Sequence, residues 1–62
     1  MRFIKLLRQL LGIGQKDLAR RAKLSTRELA RIEAGEAVPE RGHIQDLDAA
    51  FSEIVKERVR DA

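Results

Sequence analysis

Residues 11–35 contain the signals that most restrict how this chain can fold. Gly12 and Gly35 are placed to end helices, because glycine readily adopts the left-handed conformation found just after a helix. Between them Ser25 precedes Glu28 by three residues, which is the spacing of a capping box that begins a helix. The sequence therefore predicts two short helices joined by a tight turn at residues 23–25, with a sharply defined start after Ser25.

Apolar residues recur at helical spacing along the whole chain. We predict helices at about residues 2–11, 15–22, 26–34 and 40–51, and residues 53–60 either extend the fourth helix or form a fifth one capped by Ser52. No linker is evident, so we expect a single domain over residues 1–62, all-α and compact, with four to five helices. The residues expected to face inward are Phe3, Ile4, Leu7, Leu10, Leu11, Leu18, Ala19, Ala22, Leu29, Ile32, Ile44, Leu47, Ala50 and Phe51.

Size and composition argue against several classes of function. A chain of 62 residues leaves little room for a catalytic cavity, since so short a domain buries only about 60% of its unfolded surface. Without cysteine and with one histidine, neither a disulfide framework nor a metal site is expected, and no cofactor is implied. We find no nucleophile paired with a base and no phosphate-binding glycine loop, and therefore expect no enzyme activity. No apolar run approaches the roughly 18 residues of a membrane span, and no secretory signal is recognisable, so we expect a cytoplasmic protein.

Charge is divided unevenly between the two halves of the chain. Residues 1–31 contain nine Lys and Arg against two acids, a net charge of +7, whereas residues 32–62 contain four against eight, a net charge of −4. A basic half suits a polyanionic partner, although a solvated surface could carry the same charges.

The predicted third helix carries the residues best suited to contact nucleic acid. Arg27 and Arg31 lie four residues apart on one face, and Thr26 lies in the first turn. A slim helix with long donors near its N-terminus can reach base edges in the major groove, where arginine pairs with guanine. Ordinary solvation of these side chains is the alternative.

Residues 11–35 resemble the helix-turn-helix of the lambda-repressor and Cro family, also called the XRE family. The resemblance extends over about residues 10–51. The positions that carry it are Gly12, Ile13, Gln15, Leu18, Ala19, Ser25, Leu29, Ile32, Glu33 and Gly35, followed by Pro39, Ile44, Leu47 and Phe51.

This resemblance implies sequence-specific binding of a double-stranded DNA operator by a transcriptional regulator, most simply a repressor. It assigns base contacts to Thr26, Arg27 and Arg31. It also implies a structural ion pair between Arg8 and Glu33. The residues in position to contact phosphates are Gln15, Lys16, Lys23, Ser25, Arg41 and His43.

The chain departs from the family pattern at two places. Lys23 stands where the family usually has glycine in the turn, so a residue with a Cβ is expected at positive φ. Arg41 stands where the family usually has an apolar residue and is followed by Gly42, which puts the start of the fourth helix in doubt.

One recognition helix covers only a few base pairs, and we therefore expect a homodimer on two half-sites. Ile54, Val55 and Val59 could form its interface, or they could instead close the core of the monomer. The alternative function is an antitoxin-type or adaptor protein whose C-terminal helix binds a protein partner.

Overall fold

The computed structural model describes residues 2–61, with the side chains of residues 2–60. Over that range the chain forms four helices and no strand: α1 (Arg2–Leu10), α2 (Gln15–Arg21), α3 (Thr26–Glu33) and α4 (Arg41–Asp61). Helices α2 and α3 pack against each other, α1 packs on α3, and α4 packs on α2. The predicted all-α fold class is confirmed.

The first three helices end in the same backbone motif. Each is followed by a residue at positive φ, namely Gly12 (67°), Lys23 (59°) and Gly35 (79°). One residue further on, a backbone N–H reaches back to the last turn of the helix, as in a Schellman motif. These hydrogen bonds run from Ile13 to the Arg8 carbonyl (3.1 Å), from Leu24 to the Ala19 carbonyl (2.8 Å), and from Glu36 to the Arg31 carbonyl (2.9 Å). Lys23 thus adopts the strained conformation that its position predicted.

Apolar side chains from all four helices meet in one core. Leu18 and Leu29 are the largest side chains that it buries completely, and they come from the two helices that flank the predicted turn. The other buried apolar residues are Ile4, Ile13, Ala19, Ala22, Leu24, Ile32, Leu47, Ala50 and Ile54. The inward face of α3 therefore consists of Leu29 and Ile32, as predicted.

The prediction for α1 is partly wrong. Phe3 and Leu10 were expected in the core, but 70% and 83% of their surfaces are exposed. Ile4 is buried as expected, and Arg8, one turn later on the same side, also turns inward, with 13% of its side chain exposed. The apolar face of α1 is wider than the part of the helix that packs against the neighbouring helices, so some of its apolar side chains face outward.

Helix α4 is continuous, so residues 52–60 extend it and do not form a fifth helix. Ser52 caps nothing and lies exposed within the helix. Between Leu47 and Val59 the chain contains neither proline nor glycine, and nothing in the sequence interrupts the helical hydrogen bonds. No helix within residues 2–61 combines the length and the apolarity needed to cross a bilayer.

Three residues of α4 also differ from what the sequence predicted. Gly42, despite the doubt it raised, lies inside the first turn of the helix, and the backbone N–H of Ile44 donates to the Glu40 carbonyl at 2.9 Å. Ile44 was expected inside but remains half exposed. Only 4% of the surface of Ile54 is exposed. This residue therefore belongs to the core of the monomer and cannot contribute to the predicted dimer interface.

Candidate nucleic-acid interface

Helix α3 starts at a capping box formed by Ser25 and Glu28. The Ser25 hydroxyl accepts a hydrogen bond from the Glu28 backbone N–H at 3.0 Å, and the Glu28 carboxylate accepts one from the Ser25 backbone N–H at 3.3 Å. Ser25 itself is extended (φ −74°, ψ 155°), which is the usual conformation of an N-cap. The chain therefore changes direction sharply between α2 and α3, and the first turn of α3 is held rigidly.

The outer face of α3 carries the three side chains predicted to contact bases. Thr26, Arg27 and Arg31 are all exposed. Within the described part of the chain, none of their side chains makes a hydrogen bond or an ion pair. Because Leu29 and Ile32 hold the opposite face in the core, the two guanidinium groups are free to pair with an external acceptor.

The helix is also held at its C-terminal end by a buried carboxylate. Arg8 of α1 makes a two-point contact with Glu33, from Nε to Oε2 at 2.8 Å and from Nη2 to Oε1 at 3.0 Å. The Glu33 side chain is only 3% exposed and that of Arg8 13%. The hydrogen bond to Glu33 raises the pKa of the Arg8 guanidinium, although burial acts in the opposite direction. Arg8 also donates through Nη1 to the Ile13 carbonyl at 2.9 Å. The ion pair expected of Arg8 and Glu33 is therefore present, and it ties α1 to α3.

Gln15 joins this cluster. Its side-chain Nε2 donates to Glu33 Oε1 at 3.1 Å, which links the start of α2 to the end of α3. A side-chain amide has two N–H donors, so one remains for another acceptor. The bond to Glu33 fixes Gln15 at the N-terminus of α2, where backbone N–H groups also favour an anion.

A cleft of about 600 Å³ separates the start of α2 from the start of α3. Lys16 and Thr26 line it from the two helices, which brings a predicted phosphate contact and a predicted base contact together. Arg20 also lines the cleft, but its guanidinium pairs with Asp17 at 2.8 Å. Lys16 makes no such pair with a described residue and leaves its ammonium available.

The other predicted phosphate contacts are distributed around α3. Lys23 is exposed in the turn before the helix, and Arg41 is exposed at the start of α4. His43 is half-buried beside Arg31 and Val38 in a small cleft of about 120 Å³. Of these residues, only His43 shares a cleft with one of the α3 side chains.

Arg21 connects α2 to α4. Its guanidinium lies 3.3 Å from a Glu53 oxygen and 3.1 Å from a Glu57 oxygen, and 3.5 Å from Asp17. The hydrogen bond to Glu57 raises the pKa of Arg21, and the neighbouring carboxylates add to this effect. No local pattern could have predicted these contacts, because the partners are 32 and 36 residues away in sequence.

Comparison with known proteins supports the helix-turn-helix geometry. A family model described as a helix-turn-helix domain, associated with XRE-type DNA-binding proteins, matches residues 2–52. The match extends from α1 into the middle of α4 and includes the capped turn, α3 and the cluster around Glu33. No curated protein and no solved structure matches the chain.

Proposed function

The chain belongs to this helix-turn-helix domain family, and on that premise we propose that it regulates transcription by binding a specific sequence of double-stranded DNA. Proteins of this family bind DNA and typically have no catalytic activity. In our proposal α3 enters the major groove and reads the base edges. Occupation of an operator by the protein would then block the polymerase, so that the regulator acts as a repressor.

One observation carries the proposal: the outer face of α3 presents two arginines that have no acidic partner among the described residues. Arg27 and Arg31 lie on a helix whose start and end are both held rigidly, so little backbone freedom is lost when they meet DNA. Arginine makes two parallel hydrogen bonds with O6 and N7 of guanine, and each such pair contributes about 1–3 kcal/mol of discrimination. Thr26, one residue before Arg27, can contact a base edge through its hydroxyl or the thymine methyl through its own methyl group.

Phosphate contacts would fix the register of α3 on the duplex. We assign them to Lys16, Lys23 and Arg41, whose exposed cations surround α3, together with the free N–H of Gln15. Ser25 and His43 are weaker donors at the same surface. Contacts of this kind make the affinity fall steeply with salt concentration, because each neutralised phosphate releases bound counterions.

A single α3 reads only a few base pairs, so we propose that two copies bind two half-sites about one helical turn apart. Of the interface predicted from sequence, Val55 and Val59 remain exposed while Ile54 does not. The charges beside the two valines favour a helix of another protein at that surface instead of a second copy of this chain.

The proposal can be tested by selecting bound sequences from a random pool of duplex DNA, with the wild-type chain and with Arg27→Ala. We expect the substitution to lower affinity for the selected site by about 10- to 100-fold and to relax the base preference at one position, as loss of a guanine contact does. Arg60→Ala is the matched control, because it removes an exposed arginine from α4. If Arg27→Ala changes neither affinity nor preference, α3 does not read the bases through this residue.

A further inference from the structure

An apolar groove of about 330 Å³ runs between α1 and the second half of α4. Its volume falls at the lower end of the range for ligand pockets, which begins at about 300 Å³. The lining residues are Leu7 from α1, Leu11 directly after α1, and Phe51, Ser52, Val55 and Lys56 from α4. No residue of α2 or α3 lines it, so a molecule in this groove would leave the outer face of α3 free.

Exposed apolar side chains continue the groove on both sides. Phe3, Leu6 and Leu10 are exposed and lie at spacings of three and four along α1, hence on one face of that helix. On α4, Val59 follows Val55 by one turn and is also exposed. These five side chains are between 45% and 83% exposed, and exposed apolar side chains that lie together can form an interaction surface.

The charges beside this surface are mostly positive, although Asp48, one turn before Ser52 on α4, is an exposed acid. Helix α1 contains no acidic residue. On α4 the nearby acids Glu53 and Glu57 are bound to Arg21. Lys56 lines the groove itself, and Arg60 lies one turn beyond it on the same helix. The Arg58 guanidinium donates to the Leu11 carbonyl, which adds a further cation at the α1 side.

We propose that this groove binds an amphipathic helix of another protein, whose apolar stripe is flanked by acidic residues. The concave apolar floor accommodates side chains spaced three and four residues apart, as in other complexes of a helix in a groove. The basic residues at its edges would pair with the acidic flanks and set the orientation of the bound helix.

Charge and shape distinguish this occupant from the others that an apolar surface could take. A symmetric pair of chains uses the same patch twice, so two surfaces that each carry more cations than acids would face each other and repel. An anionic lipid surface would satisfy the cations, but it is flat and leaves the groove between the two helices unfilled. An acidic helix satisfies both the cations and the groove.

The test uses a fluorescein-labelled helical peptide of about five turns, roughly 18 residues, with leucines on one face and glutamates on both flanks. A second peptide carries lysine in place of every glutamate. We expect the acidic peptide to bind the full chain in the micromolar range, as is usual for a small interface, and the basic peptide to bind at least tenfold more weakly. In a ¹H–¹⁵N spectrum the acidic peptide should shift the amide signals of residues 3–11 and 51–59.

A charge-reversal pair makes the test specific. Lys56→Glu should weaken binding of the acidic peptide by about tenfold, because it turns an attractive contact at the groove into a repulsive one, and it should leave DNA binding unchanged. Lys16→Glu is the same reversal at an exposed lysine of α2. It should weaken DNA binding and leave binding of the acidic peptide unchanged. Peptide binding and DNA binding are thus separate readouts, and either can fail without the other.

Three results would overturn the inference. The acidic and basic peptides could bind equally well, or Lys56→Glu could leave binding of the acidic peptide unchanged. Either result would show that the basic edges do not select the partner. Sedimentation could show a dimer that Val55→Asp dissociates, which would assign the groove to a second copy. Vesicles containing phosphatidylserine could bind the chain without being displaced by the acidic peptide, which would assign the surface to a membrane.

Discussion

Helix α3 and the C-terminal segment of α4, residues 53–60, distribute their apolar and charged side chains in opposite ways. In α3 the apolar Leu29 and Ile32 are buried, while Arg27 and Arg31 are exposed without an acidic partner among the described residues. An exposed and unpaired cation on a rigid helix can bind an anionic ligand without first breaking an ion pair. Helix α3 is therefore built to present charge.

In residues 53–60 the acids are paired and most of the apolar residues are not buried. Glu53 and Glu57 both contact Arg21, and Val55 and Val59 are exposed although Ile54 is in the core. This segment presents apolar surface with positive charges beside it. This difference is the basis for proposing two separate interaction surfaces, one suited to a polyanion and one suited to another protein.

The largest expected effect tests how differently the two segments contribute to folding. Leu29→Ala should lower the free energy of unfolding by about 4 kcal/mol, because Leu29 is fully buried and its loss leaves a cavity. Since a chain of this size has a total stability of roughly 3–9 kcal/mol, the variant should be largely unfolded at moderate temperature. Thermal unfolding followed by circular dichroism measures the change.

Val59→Ala is the matched truncation in the other segment, and it should change stability by no more than about 0.5 kcal/mol. The same variant should weaken binding of the acidic helical peptide, since it removes part of the exposed apolar surface. Equal destabilisation by the two substitutions would show that Val59 packs against the protein in solution, and the proposed contrast would then be wrong.

The second prediction concerns the carboxylate that holds the end of α3. Glu33→Ala should destabilise the chain by about 3 kcal/mol, because it leaves the Arg8 guanidinium, which is largely shielded from solvent, without its carboxylate partner and also removes the acceptor of Gln15. Chemical denaturation with urea gives the free energy directly.

Glu36→Ala serves as its control, because Glu36 is an exposed acid three residues later whose side chain makes no bond to another described residue. The control should remain within about 0.5 kcal/mol of wild type. A loss of under 1 kcal/mol for Glu33→Ala would indicate that the ion pair does not position α3.

Local signals in the sequence predicted the helix-turn-helix well. The glycines after α1 and α3 end their helices, and Ser25 with Glu28 begins α3, as expected. Each of these signals involves only residues that are close together in the sequence. Because these signals fix backbone conformation directly, they do not depend on the rest of the fold.

The burial of α1 and the contacts of α4 could not be predicted in the same way. Phe3, Leu10 and Ile4 all belong to one broad apolar arc, and only the positions of α3 and α4 decide which part of it is covered. The pairing of Arg21 with Glu57 joins residues 36 positions apart, and no periodicity within α2 indicates it. The sequence therefore identified the helix that we propose contacts DNA, but it gave no sign of the groove between α1 and α4.

The smallest expected effect concerns the turn that leads into α3. Lys23 occupies at φ 59° the position that glycine holds after α1 and α3. A residue with a Cβ is strained in this region, whereas glycine is not, although glycine gives up more entropy on folding. Lys23→Gly should therefore stabilise the chain by about 0.5–1 kcal/mol, and the melting temperature should rise by roughly 2–8 °C.

The same substitution should weaken DNA binding, because it removes one of the proposed phosphate contacts, and the slope of log affinity against log salt should become shallower by about one. Lys23→Ala separates the two effects, since it removes the charge but keeps a Cβ at positive φ. We expect Lys23→Ala to lose affinity as Lys23→Gly does, without the gain in stability. If neither variant changes DNA binding, Lys23 does not contact phosphate. The strained turn would then have no explanation in the proposed function.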